Sequence, residues 1–461
     1  MYIYIAMEIK ARELEARAFL AAVAAERGHK VILGGKEDTR SLASKGILPP
    51  GILHDKSMGS SLGKEKVIRG VIDNGHIFTG QVEESGLLDE SFDRITRTRY
   101  HSDTLEKATF SFCWGKHDYS SLIKNYPAFS SKFIISGSPR VDLWRRDFNP
   151  YAAECRDRAA DIGEYILIAT NFKTVLNQNP FWNGIAERRE KGKYLQSEET
   201  EFEVYDKAAW QLKMIAAFIR AIRRLARQFP EMNFVFRPHP IENINAWENM
   251  IGDLKNVRIT RIGGASSWIR GAKALIHNSC TTALEAAVCG VPVISYRPIS
   301  SCHEHPIPNN AGVEVDTEEE LVNIINRISN NKKELNHGRP EQSQSGREAI
   351  HNRFSNVEGR FAADIIVDHW ESVGQKLCED QGRFKDVRKY YFSKLLKSPL
   401  TGVVLFARDL AKRKTYDPKS HKLTHLTRSE VERLIENYGA ALGRFSDIRV
   451  SQLGQRSVLI E

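Results

Sequence analysis

Apolar and polar residues follow two different spacings along the first 140 positions. Tyr2 to Met7 is a continuous apolar run, which predicts a buried strand, and Ala11 to Arg27 repeats its apolar residues at helical spacing. Gly28 then ends the helix ahead of the strand Val31 to Leu33. Strands that alternate with helices predict a parallel, doubly wound sheet of the α/β class. The further strands predicted in this half are Ile52 to His54, His76 to Thr79, Phe110 to Trp114 and Lys132 to Ser136.

The same alternation starts again after a helical stretch at residues 151–163. Glu164 to Thr170 predicts the first strand of a second domain, and Ser197 to Gln228 predicts a long helix. The apolar residues of that helix recur at helical spacing, so we expect them in the core rather than in a site. Later strands are predicted at Asn233 to Phe236, Val257 to Thr260, Ala274 to Ile276 and Val291 to Tyr296, and later helices around Ser266 to Arg270 and at Glu318 to Ile328.

Chain length and the distribution of charge indicate how the chain divides into domains. Its 461 residues are enough for two domains of ordinary size. Residues 383–414 hold ten Lys or Arg against two Asp, an excess of eight within a formal net charge of +9, so the basic excess is local. Thr427 to Glu430 forms a capping box that predicts a last helix ending near Leu442 and packed on one of the domains. We therefore divide the chain into domains 1–155 and 156–370 and a helical basic extension, 371–461.

The stretch from Lys273 to Pro298 reads as strand, polar turn, short helix and second strand. Its hydroxyl residues come where the helix should begin. Free backbone N–H groups and the positive end of the helix dipole meet there, which suits a phosphate group. Glu285 follows about one turn later, where it could hydrogen-bond ribose hydroxyls. A capped helix of any α/β protein is the alternative. The turn residues of interest are Asn278, Ser279, Thr281 and Thr282.

Other polar residues also follow predicted strands. Arg237 and His239 come directly after Asn233 to Phe236, and Asn171 and Lys173 follow the first strand of the second domain. Open α/β sheets bind ligands at this edge, so we expect these side chains near a bound anion. The alternative for His239 is a turn fixed by Pro238 and Pro240. The polar insertion from Asn177 to Leu195, with the aromatic pair Phe181-Trp182, is a candidate acceptor-side loop.

Two adjacent carboxylates, Glu83 and Glu84, follow the strand His76 to Thr79. Neighbouring carboxylates can have unequal pKa values, so that one stays protonated while the other acts as base or nucleophile. A solvated loop explains two glutamates equally well when they are considered alone.

These motifs together resemble known families. The hydroxyl-rich turn with Glu285 and Gly290-Val291-Pro292 resembles the nucleotide-sugar half of GT-B glycosyltransferases. His239-Pro240 followed by that turn is similar to the phosphate-binding pair of bacterial sialyltransferases and 3-deoxy-manno-octulosonic acid (Kdo) transferases. Glu83 to Gly86, Lys56 and the segment Ser136 to Asp142 resemble the bacterial surface carbohydrate biosynthesis proteins. Those more often read Asp-Glu-Glu-Gly, so the choice between Glu83 and Glu84 stays open.

The resemblance implies a GT-B fold, in which two Rossmann-like domains face each other across a cleft. It implies an enzyme that moves Kdo or a related 2-keto acid sugar from a CMP-activated donor to a surface polysaccharide, such as capsule or lipopolysaccharide, or to a glycolipid. It favours a retaining reaction. Glu83 or Glu84 and His239 are the implied catalytic residues. Those implied to bind the nucleotide sugar are Asn171, Lys173, Arg237, His239, Asn278, Ser279, Thr281, Thr282 and Glu285, and those on the acceptor or sugar side are Lys56 and Arg140.

Alternative functions remain open. They are a polyol-phosphate transferase, a UDP-sugar-dependent GT-B enzyme or 2-epimerase, and a non-catalytic polysaccharide assembly protein. We expect neither a cofactor nor a metal, since the six cysteines lack zinc spacing and Cys302 to His305 reads as a loop shaping the cleft. No nucleic-acid motif is present, so the expected partners are the nucleotide-sugar donor and an oligosaccharide or lipid-linked acceptor.

Location can also be predicted. No run of about 18 apolar residues exists, and three glutamates among the first 22 residues argue against a signal peptide. We therefore expect a cytoplasmic protein. The basic segment 383–414 could rest on anionic lipid at the inner face of the cytoplasmic membrane. The charged outer face of a packed helix is the alternative reading of that segment.

Overall fold

The computed structural model describes residues 1–59, 64–83, 96, 99–148, 162–190, 198–262, 264–330, 344–374, 377, 389, 423 and 425–461. The chain forms two compact units. Unit 1 comprises Met1–Tyr151 and His351–Glu461, and unit 2 comprises Ala152–Ile350. The chain therefore begins in unit 1, builds unit 2 and returns to unit 1.

The elements follow the predicted alternation. In chain order the strands are β1 Tyr2–Met7, β2 Lys30–Gly35, β3 Gly51–Asp55, β4 Ile77–Gln81, β5 Phe110–Cys113, β6 Phe133–Ile135, β7 Tyr165–Ala169, β8 Asn233–Arg237, β9 Val257–Ile259, β10 Ala274–His277, β11 Val293–Tyr296, β12 Val313–Val315, β13 Val450–Gly454 and β14 Ser457–Ile460. The helices are α1 Lys10–Glu26, α2 Lys36–Ser44, α3 Lys64–Asp73, α4 Ser102–Lys107, α5 Lys116–Asn125, α6 Pro139–Asp142, α7 Phe181–Glu190, α8 Glu198–Gln228, α9 Ile244–Ile251, α10 Ala265–Gly271, α11 Thr282–Cys289, α12 Pro306–Asn309, α13 Glu318–Asn330, α14 Gln344–Arg353, α15 Ala362–Gly374 and α16 Arg428–Leu442.

Within the described residues, unit 1 is built on an eight-stranded sheet of order β13-β14-β2-β1-β3-β4-β5-β6. β1 to β6 pair in parallel, as the sequence predicts. The strand order reverses at β1, which has β2 on one side and β3 on the other. The hairpin β13–β14 adds to the β2 edge in antiparallel orientation and covers it.

Helix α1 is buried at the centre of unit 1. It packs against β1, β2, α15 and α16, so its second half, Ala18 to Ala25, is buried on every side rather than along one stripe. The ring of Phe19 packs edge-on against four aromatic rings at centroid distances between 5.2 and 6.1 Å. These rings join the first and last parts of the chain in one core. They belong to Phe148, Phe361, Tyr438 and Phe445.

The return of the chain to unit 1 is fixed by two buried polar side chains. The two side-chain oxygens of Asp142 accept hydrogen bonds from the backbone N–H groups of Ala362 and Ala363, both at 2.9 Å, at the first turn of α15. The Arg145 guanidinium donates to three backbone carbonyl oxygens in residues 356–360. The first N–H groups of a helix have no partner within the helix, and here Asp142 supplies one. These hydrogen bonds hold residues 351–374 to unit 1.

The predicted division changes on its carboxyl-terminal side. Residues 351–370, assigned from sequence to the second domain, pack on unit 1, and residues 425–461 complete the sheet and helical layer of unit 1 instead of forming a separate extension. Helix α16 begins directly after Thr427, the N-cap residue of the predicted capping box, and ends at Leu442, as predicted. The hairpin that follows was not predicted. The boundary at 155/156 and nearly all of the segment 383–414 lie outside the described residues.

In the described part of unit 2, six parallel strands have the order β12-β11-β10-β7-β8-β9. This is the order of a dinucleotide-binding doubly wound sheet, and it reverses between β7 and β10. Helix α8 covers one face. Its predicted apolar stripe is buried in the core of the unit, which confirms that these residues are structural. They are Trp210, Met214, Phe218, Ile222 and Leu225.

Candidate functional site

Three strands of unit 2 end level with one another, and the predicted site residues follow them. Ala169 of β7 is in register with His277 of β10 and with Arg237 of β8. The strand order reverses between β7 and β10, and open α/β sheets bind ligands outside the carboxyl ends of their strands at such a reversal. We call residues 170–174, 238–242 and 278–282 the carboxyl-edge site.

Glu242 ties the first two segments of this site together. It is fully buried, and its carboxylate accepts hydrogen bonds from Thr170 Oγ1 at 2.9 Å, Phe172 N at 2.7 Å and Trp247 Nε1 at 2.8 Å. Burial raises the pKa of Glu242, and these hydrogen bonds oppose that rise. The loop after β7 therefore takes its shape from a side chain that follows β8.

Gln211 of α8 holds the same loop from the other side. Its buried side chain accepts a hydrogen bond from Thr174 N at 3.0 Å and donates to the carbonyl oxygen of Asn171 at 3.2 Å. Because α8 is anchored in the core, rigid elements set the backbone position of Lys173, which lies between these two contacts.

His239 is a neutral hydrogen-bond donor in this site. Its Nδ1 accepts a hydrogen bond from the backbone N–H of Ile241 at 3.2 Å, so the ring proton lies on Nε2. Burial, with the nearby charges of Lys173 and Arg261, lowers the pKa of His239 to about 4. Among the described residues no group accepts a hydrogen bond from Nε2. The Nε2–H group is thus available to a ligand.

Arg261 supplies a second cation beside His239. Its Nη2 donates to the carbonyl oxygen of His239 at 3.3 Å, and its Nε is buried with no acceptor in the described part of the chain. Burial lowers the pKa of Arg261. A desolvated guanidinium with an unused N–H group, whose charge acts on His239 together with that of Lys173, favours an anion at this edge.

The turn between β10 and α11 is strained and tightly held. Ser279 has a φ of 52°, which is uncommon for a residue with a side chain and costs on the order of 1–3 kcal/mol. Its backbone N–H donates to Asn309 Oδ1 at 2.7 Å, its hydroxyl accepts from His305 N at 3.0 Å, and its carbonyl oxygen accepts from Asn171 Nδ2 at 2.9 Å. The predicted ligand Ser279 is therefore also the residue that organises the turn.

The two threonines at this turn differ in their surroundings. Thr281 is exposed directly before α11, and its hydroxyl has no partner within the described ranges. The hydroxyl of Thr282 donates to Cys280 Sγ at 3.0 Å, a weak acceptor that a phosphate oxygen can replace. Glu285 is buried in the first turn of α11. The start of this helix therefore presents hydroxyl groups together with its positive dipole end.

Two asparagines of the site carry carbonyl oxygens without donors. Asn278 Nδ2 donates to Tyr296 O and Glu304 Oε1, both at 3.1 Å, and Asn171 Nδ2 donates to Ser279 O, so both amide orientations are fixed. The Oδ1 atom of each is buried with no donor among the described residues. Buried acceptors normally have partners, so a ligand hydroxyl, a ligand N–H group or ordered water would satisfy them.

Arg237 lies beside the site rather than next to His239. Its Nη1 donates to the carbonyl oxygen of Ile262 at 2.9 Å, and its guanidinium lies 5.6 Å from the ring centroid of Trp268. Burial lowers the pKa of Arg237 to about 10. Its predicted role with the phosphate stays a prediction.

The loop Cys302 to His305 shapes the site through Glu304. The Arg297 guanidinium binds both Glu304 carboxylate oxygens at 2.6–3.2 Å, and Asn278 shares one of those oxygens. Within the described residues no group of three or more His, Cys, Asp or Glu side chains is placed to hold a metal ion.

Three predicted residues of unit 1, Lys56, Glu83 and Arg140, also follow strands, and the first two sit in ion pairs. Lys56 Nζ lies 2.7 Å from Glu13 Oε1 and 3.0 Å from Glu8 Oε2. Burial would raise the pKa of Glu8, but hydrogen bonds from Lys56 and Lys36 lower it to about 2. The ammonium of Lys56 is thus paired before any substrate arrives.

Glu83 forms an ion pair with Arg17, and both side chains are largely buried. Glu84 lies outside the described residues. Arg140 lies in α6 with its guanidinium 5.7 Å from the ring centroid of Trp144. The sequence and structure therefore agree that Glu83, Lys56 and Arg140 come after strands of unit 1, and their roles stay predictions.

Arg261, Glu242 and Gln211 were not among the predicted site residues. Arg261 had a detectable signal, because it directly follows the predicted strand Val257 to Thr260 and so had to reach the carboxyl edge. Glu242 comes two residues after the His239-Pro240 pair, so its position in the sequence indicates the same edge. The sequence does not indicate a role for Gln211, because the hydrogen-bond partners of one polar residue on a core helix are known only from the folded unit.

Comparisons with known proteins agree with this architecture. No protein-family model and no curated protein matches the chain. The UDP-GlcNAc 2-epimerase of Methanocaldococcus jannaschii is similar in structure, with a TM-score of 0.51 and 12% identity over 81% of this chain and 100% of that chain. A Listeria monocytogenes protein assigned as a UDP-N-acetylglucosamine 2-epimerase has a TM-score of 0.50 and 12% identity over 82% and 98% of the two chains. The wall teichoic acid polymerase TagF has a lower TM-score of 0.46 and 8% identity over 82% and 90%.

The likeness to the two epimerase structures and the two largely parallel sheets define the fold class. The chain has a GT-B-like fold with two α/β units, which confirms the predicted fold class. In the part of the chain that the structure describes, no helix combines the length and the apolar character that a membrane crossing requires.

Proposed function

We propose that this chain is an enzyme that acts on a nucleotide sugar, whose phosphate binds at the carboxyl-edge site. One observation carries the proposal. The Nε2–H of His239, the cations of Lys173 and Arg261 and the start of α11 all lie at the edge of the sheet where the strand order reverses. Phosphate oxygens are anionic acceptors, so each of these groups stabilises them.

The proposed chemistry is cleavage of the bond between sugar and phosphate. This leaves negative charge on the phosphate, and donors aimed at that charge lower the barrier. His239 is neutral near pH 7 because its pKa is about 4, so it donates a hydrogen bond while Lys173 and Arg261 supply the charge. By analogy with oxyanion sites, removal of one donor lowers the rate about 100- to 1,000-fold.

A UDP-sugar is the first substrate to test. The fold likeness to UDP-GlcNAc 2-epimerases supports it, and the free Oδ1 atoms of Asn171 and Asn278 suit ribose hydroxyls or a base N–H group. The chain would then be a UDP-sugar-dependent GT-B enzyme, either a 2-epimerase or a glycosyltransferase.

Transfer of Kdo or a related sugar from a CMP-activated donor to a surface polysaccharide or glycolipid is the second candidate. Arg237 to Pro240 and the hydroxyl-rich turn with Glu285 support it, because they resemble the motifs of CMP-sugar enzymes. Glu83 or Glu84 would then act as base or nucleophile. A folded variant that combines Glu83→Gln and Glu84→Gln and keeps full activity on CMP-Kdo would contradict that role.

A thermal-shift series with UDP, UDP-GlcNAc, CMP, CDP and GDP tests the proposal and separates the candidates. A ligand that binds only the native state at 100 times its Kd adds about 2.7 kcal/mol of stability. We expect UDP and UDP-GlcNAc to raise the melting temperature most, whereas a CMP preference favours Kdo transfer. Incubation with UDP-GlcNAc or CMP-Kdo, followed by product analysis, then identifies the reaction.

Matched variants locate the nucleotide. Arg261→Gln removes the cation next to His239, and Arg258→Gln removes the same charge from an exposed position three residues earlier. We expect the first to abolish most of the nucleotide-induced shift and the second to keep it. If no nucleotide stabilises the wild-type protein and none of the sugars is turned over, the proposed function is wrong.

A further inference from the structure

A second pocket opens in unit 2 beside the carboxyl-edge site. It has a volume of about 210 Å³ and lies between the loop after β7, helix α7 and the beginning of α8. Lys173 borders it, so the pocket adjoins the proposed phosphate position. Its wall includes Lys173, Asn177, Asn179, Phe181, Gly184 and Ile185.

The wall combines amide groups with an aromatic ring. Asn177 Oδ1 accepts a hydrogen bond from the backbone N–H of Asn179 at 2.9 Å, and Asn179 Oδ1 accepts from Asn183 Nδ2 at 3.3 Å. Both amide oxygens are thus occupied, and in the described ranges neither Nδ2 group has an acceptor. Phe181 packs edge-on with Tyr205 at a centroid distance of 5.9 Å, which orients its ring. Ordered amide donors beside an aromatic ring suit a ligand with hydroxyl groups and an apolar face.

Gly184 is the second observation that points to a ligand. It lies inside α7, where glycine costs about 1 kcal/mol relative to alanine. A Cβ atom at this position would meet no other atom within 4 Å, so packing against the protein does not require glycine here. The missing side chain instead leaves the pocket open on the side of α7, which allows a bound molecule to approach the helix closely.

We propose that this pocket binds one pyranose ring of the carbohydrate substrate. Its volume is below the roughly 300–1,000 Å³ of pockets for drug-sized ligands, so it suits a single sugar ring rather than a whole nucleotide sugar. Asn177 and Asn179 donate to ring hydroxyls, and Phe181 with Ile185 packs against the apolar face of the ring. The sugar belongs to the donor or to the acceptor, and only this assignment rests on the proposed function.

Saturation-transfer difference NMR on the full chain tests the pocket. The probes are the methyl glycosides of glucose, galactose, mannose and N-acetylglucosamine. Gly184→Leu fills the pocket and improves helix propensity, whereas Ala186→Leu adds the same side chain at an exposed, non-lining position of α7. We expect at least one glycoside to bind the wild type and Ala186→Leu, and to bind Gly184→Leu about tenfold more weakly or less, which corresponds to about 1.4 kcal/mol.

Phe181→Ala is a second test that does not depend on filling the pocket, and circular dichroism with the melting temperature checks that each variant folds. The proposal is wrong if no glycoside binds the wild type, or if binding to folded Gly184→Leu and Phe181→Ala is unchanged. Saturating UDP-GlcNAc separates the two sources: displacement of the glycoside assigns the ring to the donor, and retention assigns it to the acceptor. If a glycoside binds but no nucleotide raises the melting temperature, the proposed function is contradicted, whereas the proposal that this pocket binds a sugar ring stands.

Discussion

Asp142 makes the stability of unit 1 depend on pH. It is fully buried, and burial raises its pKa to about 7 from the ordinary 3.8, although the N–H groups of Ala362 and Ala363, with the charge of Arg145, oppose that rise. Asp364 adds to it. Between about pH 4 and 7 the folded protein therefore keeps a proton on Asp142 that the unfolded chain has already released.

The sign and size of the effect follow from this difference. A group whose pKa is raised on folding stabilises the protein below the unfolded value, and this contribution is lost as the pH rises through the folded value. Each pH unit inside the window changes the free energy of unfolding by about 1.4 kcal/mol. Between pH 5 and 7 we therefore expect unit 1 to lose about 2 kcal/mol on account of Asp142 alone.

Urea denaturation of the wild type and Asp142→Asn at pH 5, 6 and 7 measures this loss, with hydrogen exchange in α15 reporting on unit 1. All other ionisable groups are shared, so the difference between the two proteins isolates Asp142. We expect the stability advantage of the wild type over the variant to shrink by about 2 kcal/mol across this range. An advantage that stays constant, or grows with pH, would refute the reasoning.

Four further outcomes are expected. Glu242→Gln lowers the free energy of unfolding by about 1–3 kcal/mol, because its amide NH2 must face one of the buried N–H donors, and unchanged urea midpoints would contradict this. In a pH series of calorimetric titrations with UDP-GlcNAc, we expect the binding affinity to show no change near pH 6.5 that comes from His239, because the pKa of His239 is about 4. If the wild type shows such a change and the His239→Gln variant does not, His239 is not neutral at pH 7. Phe218→Ala destabilises unit 2 by about 3–5 kcal/mol in urea, and a smaller loss would mean that α8 packs loosely. Vesicles with anionic lipid bind the full chain in a salt-sensitive manner, and the same binding after the basic residues of 383–414 are changed to serine would exclude that segment as the contact.

Most of the fold was predictable because its signals are local. Buried parallel strands are continuous apolar runs, such as Tyr2–Met7 and residues 234–236 of β8, and the Thr427 to Glu430 capping box marks the start of its helix. The hairpin β13–β14 was missed because its strands are joined by Gln455-Arg456, which lacks the glycine or asparagine typical of a two-residue turn. The return of residues 351–374 to unit 1 was missed because Asp142 and α15 are 220 positions apart in sequence.

The candidate site was predictable where polar residues come directly after a predicted strand. Asn171, His239 and Ser279 come after β7, β8 and β10, and parallel register brings strand ends to one edge. The sequence could not show that Arg237 turns toward Trp268 while Arg261 approaches His239, because this depends on side-chain packing at the end of β9. It also could not distinguish the hydroxyl of Ser279, which organises the turn, from that of Thr281, which is exposed.

The predicted site residues of the two units differ in whether their charged side chains are already in ion pairs. In unit 1, Lys56 is paired with Glu8 and Glu13, and Arg17 is paired with Glu83, so a ligand there must displace or share an existing ion pair. In unit 2 a strained serine, a desolvated arginine, a neutral histidine and two acceptors without donors lie at one edge. The backbone strain at Ser279 and the unpaired buried atoms of Arg261, Asn171 and Asn278 each cost stability, and local costs that accumulate at one place are typical of a binding site. A ligand that pairs with Arg261 Nε and with the two asparagine oxygens would offset part of this cost, which is why we propose the nucleotide site in unit 2.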